Sequence, residues 1–353
     1  MNSSRSRYIT LRSSFYSFLI HRKALVAGLL LLVATVAVMI LCTGIGSLYI
    51  APGEVIRSVF GYGADSNELI IRSLRLPRII TAVLIGASLA VSGAILQGVV
   101  RNPLTSPDNI GITGGAVLGA VSFFFFFAER LSIHWLPLFA IIGALAATLL
   151  IYTLSWKKGV SPLRLVLIGI TMTAAMNSIS YMMMIMGPVV LANQSLTFMT
   201  GSIYGVSWEK AVTPLFPWVL VLMPILFFLA RHVNVQELGE DVARSVGSSV
   251  QRQRLLLILL SVALGGTAIA FGGAITFIGL MAPHMARRLV GPSFGALLPV
   301  SALIGAILLL LADLAGRTIA PPLDIPAGVF TASVGAPLFI FLLYRNRNRN
   351  SNR

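Results

Sequence analysis

Apolar runs of about twenty residues recur along the whole chain, and no other feature limits its fold so sharply. A helix rises about 1.5 Å per residue, so about 20 apolar residues cross roughly 30 Å of hydrocarbon. Runs of this kind cover 24–42, 79–99, 111–127, 135–155, 165–186 and 211–230. Residues 255–290 would reach about 54 Å as one helix, too long for a single crossing. Phe271-Gly272-Gly273 supplies a break that divides the stretch in two. With 297–311 and 327–344 the count is ten, which puts both termini on one side. The composition agrees: charged residues make up 10% of the 353, against about a quarter in soluble domains. The expected class is all-α, a polytopic membrane protein of ten transmembrane helices.

The net charge of +15 would suggest nucleic acid if it formed a patch, but it lies in short segments between the apolar runs. Segments 1–23, 100–110, 156–164, 231–254, 281–294 and 345–353 hold 19 of the 26 Lys and Arg. The opposite set, 43–78, 128–134, 187–210 and 313–326, holds the other seven. Basic loops stay in the cytoplasm, so the first set and both termini are expected there, in the cell membrane, with lipid and not nucleic acid as the partner of the charge. The first apolar run has no small-residue cleavage site after it, since Ile40 and Leu41 precede Cys42, so it is read as an uncleaved span. Ahead of it, Tyr8, Phe15, Tyr16 and Phe18 stand among Arg5, Arg7, Arg12, Arg22 and Lys23. That pattern fits an interfacial helix on anionic lipid or a basic tail.

Machinery for chemistry is missing. A P-loop needs a Gly-Lys pair to cradle phosphates, and the chain has none. His21, His134, His232 and His284 are far apart, and no His/Cys/carboxylate cluster or His-Glu-x-x-His spacing suggests a metal site. The match Gly291-Pro-Ser293-Phe-Gly295 lies in a Pro-containing turn between spans, whereas a nucleophile elbow needs a strand before its Ser. The expected span interiors carry no acid or base to bind a coupling ion. The chain therefore reads as a non-enzymatic path without an engine, and a secondary carrier or channel is the competing class.

Two segments look built for partners. In 234–247, Asn234 and Glu237 fit a capping box, and Gly247 fits a left-handed helix end. Leu238, Val242 and Val246 then form one apolar stripe, beside a Glu240/Arg244 pair at i,i+4. The stripe packs on its own bundle or seats in a cytoplasmic motor. At the other face, Arg75 and Arg78 flank Pro77 at the start of the second span. Arg78 sits near the positive end of that helix, at a cost of about 0.3–1 kcal/mol. Two cations there fit an acidic partner or lipid phosphate. Arg317 follows the ninth span, with Asp313 at i−4 able to satisfy it. Close helix packing is signalled by Gly115-x-x-x-Gly119. Met172, Met176 and Tyr181 on the fifth span are path-lining candidates, since Met adapts to bulky ligands.

Several motifs stand in order: Leu74-Arg-Leu-Pro-Arg78, Gly93-Ala-Ile-Leu-Gln97, Arg101-Asn-Pro-Leu104, the 237–247 segment, Phe277-Ile-Gly-Leu-Met-Ala-Pro-His284, Ala312-Asp-Leu-Ala-Gly-Arg317 and Gly335-Ala-Pro-Leu-Phe339. Over 24–344 the chain resembles the FecCD-type permeases of iron-siderophore ABC importers, a family that includes the vitamin B12 importer's permease. The resemblance implies a ten-span permease domain at 24–344 with a coupling loop at 231–254, flanked by the basic segments 1–23 and 345–353. It implies a second permease, identical or related, two ATPase subunits that carry ATP and Mg, and one substrate-binding protein. It puts Arg75, Arg78 and Arg317 against acidic residues of the binding protein. It puts Glu237, Leu238, Gly239, Val242, Ala243 and Gly247 in the helix that meets the ATPase. No cofactor is implied on this chain, and the expected cargo is a ferric siderophore, with cobalamin or haem as the alternative.

Overall fold

The structure is a computed structural model that describes residues 8–12, 17–46, 48–157 and 159–351. Two short strands, β1 (Tyr8–Arg12) and β2 (Ser17–His21), pair antiparallel with Tyr8 opposite His21. The segment expected as an interfacial helix or a loose tail therefore has a paired backbone, while Phe15 and Tyr16 fall outside the described residues. Among the described residues, the regular elements after it are helices, apart from an isolated bridge between Trp156 and Val160. The helices are α1 (Arg22–Gly44), α2 (Pro52–Val59), α3 (Asp65–Leu69), α4 (Leu76–Val100), α5 (Ile112–Phe127), α6 (Leu136–Leu154) and α7 (Pro162–Met186). There follow α8 (Val189–Thr200), α9 (Thr213–Glu237), α10 (Glu240–Ser245), α11 (Val250–Gly272), α12 (Ile278–Val290), α13 (Phe294–Thr318) and α14 (Ala327–Ser351).

Local chemistry sets most boundaries. Proline occupies the first turn of α2, α4, α6, α7 and α9, where its missing N–H costs nothing. Gly273 and Gly291 close α11 and α12 with φ of +71° and +85°. Among the described residues seven helices are long and apolar enough to cross a membrane, and α5 and 327–341 are shorter apolar helices. The expected eighth crossing is reduced: 273–277 is irregular, and α12 has only 13 residues. At about 1.5 Å per residue it reaches about 20 Å. The ninth run extends further than its hydropathy indicated, to Thr318, so Asp313 and Arg317 lie inside α13.

Helix α4 is the axis of the bundle, almost wholly buried beyond its first turn, with α9, α11, α12 and α13 around it. Close approach rests on glycine. A Cβ on Gly86 would overlap the carbonyl of Gly305 in α13, and one on Gly93 would overlap that of Gly279 in α12. The Gly115/Gly119 pair does the same for α5, against Gly143 and Phe139 of α6. Helices α1, α7 and α9 keep wide apolar faces exposed, as expected of surfaces that meet lipid or another subunit.

Candidate docking sites at the two ends of the bundle

One end gathers Arg75, Arg78 and Arg317, and all three turn inward. Arg78, in the first turn of α4, donates Nε–H to Asp313 Oδ1 at 2.8 Å. Its Nη1 and Nη2 hold both oxygens of Asp324 at 2.6 and 2.7 Å, a two-pronged pair. Tyr204 lays its ring 5.8 Å from the guanidinium carbon. Arg317 donates to the carbonyls of Ile45, at 3.0 Å, and Cys42, and its Nε lies 3.5 Å from Asp313 Oδ2. Arg75 donates to the carbonyls of Thr43, Gly44 and Leu48 at 2.7, 3.1 and 2.6 Å. The arginines thus clamp the end of α1 and the segment after α13 onto α4.

The i−4 pairing of Arg317 with Asp313 is present, and Asp313 serves Arg78 as well. Two nearby carboxylates offset the penalty of a cation at a helix start. Sequence reasoning missed Asp324. It sits 246 residues from Arg78 with no periodic relation to it, and only its place just before α14 hinted at a role.

At the opposite end, α9 runs through Glu237, so Asn234 is no cap. Its Oδ1 instead accepts the Phe294 N–H at 2.9 Å, tying α9 to the start of α13. Gly239, at φ +112°, breaks the chain before α10, so the expected single helix over 234–247 is two pieces. Leu238 ends the first, and Val242 lies on the second. Gly247 does take the left-handed end position, at φ +80°. Ala243 is the buried contact of α10, while Leu238, Val242 and Val246 are 67, 46 and 66% exposed. The stripe does not pack on its own bundle.

Glu240 is the anchor of this short helix. Its carboxylate meets Arg254, Arg244 at 3.5 Å and Arg101 at 3.6 Å. Arg254 is buried in α11 and also donates to the Val160 carbonyl at 2.6 Å. The hydrogen bond from Arg254 holds the Glu240 carboxyl below the ordinary carboxylate range. Glu237 lies 3.8 Å from Arg287 of α12. The pair Glu240/Arg244 was legible at i,i+4, but Arg101 and Arg254 come from distant helices.

The path candidates separate. Met176 is buried and fills the space beside Gly111 and Gly114, so it packs its own bundle and lines no open surface. Met172 is partly buried against the same core, whereas Tyr181 is half exposed on another side of α7. Ser293 stands at the N-cap position of α13 without a side-chain capping bond, after the positive-φ Gly291, with helix α12 and not a strand before it. Among the described residues no group of three His, Cys, Asp or Glu is placed to hold a metal.

A bundle with these paired ends has known counterparts. The profile of the FecCD transport family matches residues 30–345. The chain belongs to the FecCD transport family. It is 50% identical over 332 residues to the probable siderophore transport system permease protein YfhA of Bacillus subtilis (strain 168), covering 93% of this chain and 96% of that one. It is 46% identical over 319 residues to the achromobactin transport system permease protein CbrC of Dickeya dadantii (strain 3937), covering 90 and 91%. A solved structure described as an inward-facing conformation of a metal-chelate type ABC transporter superposes with a TM-score of 0.79 at 31% identity, covering 90% of this chain and 98% of that one. The FecCD match takes in both arginine clusters and α10, and leaves the β1–β2 pair outside.

Proposed function

We propose that this chain is the permease subunit of an ATP-driven importer that takes in a ferric siderophore delivered by an extracytoplasmic binding protein. The observation that carries this reading is its likeness, over nearly the full length of both chains, to a siderophore transport permease. In this reading the chain crosses the cytoplasmic membrane ten times with α5, α12 and α14 as the short crossings, and both termini face the cytoplasm. Two permeases, identical or related, enclose the path, and the exposed face of α7 with Tyr181 borders it. The motor is a pair of ATPase subunits seated on Leu238, Val242 and Val246, with Glu237, Gly239, Ala243 and Gly247 shaping the helix they grip. Exposed apolar side chains on an otherwise polar end support this, because such a strip is stable only when covered. The binding protein docks at the Arg75/Arg78/Arg317 end and offers carboxylates to it. ATP and Mg belong to the motor.

The test is reconstitution. The permease goes into vesicles with its cognate ATPase and binding protein, and ferric siderophore uptake is measured with and without ATP. Uptake that needs all three components and ATP is expected. Accumulation by the permease alone without nucleotide would falsify the reading in favour of a secondary carrier. Uptake of cobalamin or haem in place of the ferric chelate would replace the cargo and leave the class.

A further inference from the structure

Helices α5 and α12 both begin inside the bundle instead of at its ends. The chain enters α12 through the irregular stretch 273–277, where Phe277 takes φ +65°. That conformation is unfavourable for a residue with a Cβ, and a strained residue persists only where its surroundings insist on it. Here Phe277 packs against Gly335 of α14, where any side chain would overlap it. The chain leaving α4 also turns back into the bundle. Pro107 lies against Gly279, and the Asn109 carbonyl lies against Gly169 of α7. Thr173, midway along α7, donates to the Asp108 carbonyl at 3.3 Å. Gly279 in turn meets Gly93, about 10 Å in from the end of α4 at about 1.5 Å per residue. A segment that hydropathy assigns to a surface loop is therefore re-entrant, and it carries a carboxylate into the interior.

Asp108 stands where the two helix starts meet. Its carboxylate accepts the Thr113 hydroxyl, in the first turn of α5, at 2.7 Å. The backbone N–H of Phe277, the residue that begins α12, and the Ser106 side chain also face it. From the other side Gln97 Nε2 reaches the Gly279 and Leu280 carbonyls, each at 3.4 Å. Helix starts present unpaired N–H groups and partial positive charge. Discontinuous helices whose starts meet inside a membrane bundle border the transport path in several transporter folds.

We infer that Asp108 is a positioning residue of the transport cycle. Its carboxylate pins the start of α12 to the start of α5, and access to the path changes when these half-length helices shift against each other. The role in transport rests on the permease reading, whereas the pin is measurable without it. Cys42 is the sole cysteine and is fully buried, so a reporter thiol placed in the irregular stretch by Thr276→Cys reads out alone. Its labelling rate by a maleimide is followed in membrane vesicles, alongside ferric siderophore uptake. Losing a hydrogen bond of this kind shifts a two-state balance by about threefold to tenfold. Asp108→Asn is accordingly expected to change the labelling rate about threefold to tenfold and to cut uptake by a similar factor at unchanged membrane abundance.

If Asp108→Asn fails to accumulate, Thr113→Val decides, because it removes one donor and keeps the carboxylate. A change of about threefold or more in the labelling rate supports the pin, since a neutral hydrogen bond is worth about that much or more. Parent-like labelling in both variants, or in Thr113→Val when Asp108→Asn is not made, overturns it. A parent that takes up no ferric siderophore overturns the function and leaves the labelling result standing.

Discussion

Arg78 turns its guanidinium onto Asp313 and Asp324, and its side chain is only 15% exposed. Replacing it by Ala would leave Asp313, which is 0% exposed, with only its longer contact to Arg317. Breaking a buried pair from one side costs about 3–5 kcal/mol, so Arg78→Ala should lower the melting temperature in detergent clearly. Arg78→Lys should recover only part of the loss, because an ammonium cannot fork onto two carboxylates. An acidic partner that engages Arg78 must first displace Asp324, the more exposed of its two acids at 18%. Asp324→Asn is therefore expected to tighten binding of the cognate binding protein, measured by surface plasmon resonance on detergent-solubilised permease. Weaker binding would count against this docking route. The motif around Pro77 was plain in the sequence, but the partners of Arg78 were not. They lie 235 and 246 residues away, and no local spacing encodes such a contact.

Among the elements, α10 is held by charge around Glu240, with Ala243 as its one buried apolar contact. Val242→Asp or Leu238→Pro should leave membrane insertion intact, abolish co-purification of the ATPase, and uncouple hydrolysis from uptake. Glu240→Gln should loosen the helix more than Arg244→Ala does, because Arg254 is buried and Arg244 is exposed. The folded carboxyl of Glu240 titrates below the ordinary value. Its contribution is thus complete above the unfolded value of about 4.3 and is lost as pH falls through the folded one. Protease sensitivity of 238–249 should rise only at strongly acidic pH, and a loss of protection centred at neutral pH would contradict this pairing. Elements of this kind show how far sequence can be read. Helices that face lipid declare themselves by hydropathy, as α1, α7 and α9 did. The re-entrant 101–110 stretch and the short start of α12 did not, because their polar atoms are satisfied by distant partners and leave no period in the chain.

At the scale of the molecule, α4, α12 and α13 meet backbone to backbone through Gly86, Gly93, Gly279 and Gly305. Gly93→Val should therefore prevent a stable bundle, seen as loss of the monodisperse peak on size exclusion, while Gly28→Val on the open face of α1 should not. Two ends built from ion pairs around a glycine-packed middle make a body that other proteins can push on without deforming it. The uncovered strip of Leu238, Val242 and Val246 also bears on supply inside the cell. Under the proposed function, a copy synthesised in excess of its motor displays to the membrane's quality-control proteases what an assembled copy hides. Pulse–chase turnover should be several-fold faster in cells lacking the ATPase, so that stoichiometry is enforced by destruction of the orphan.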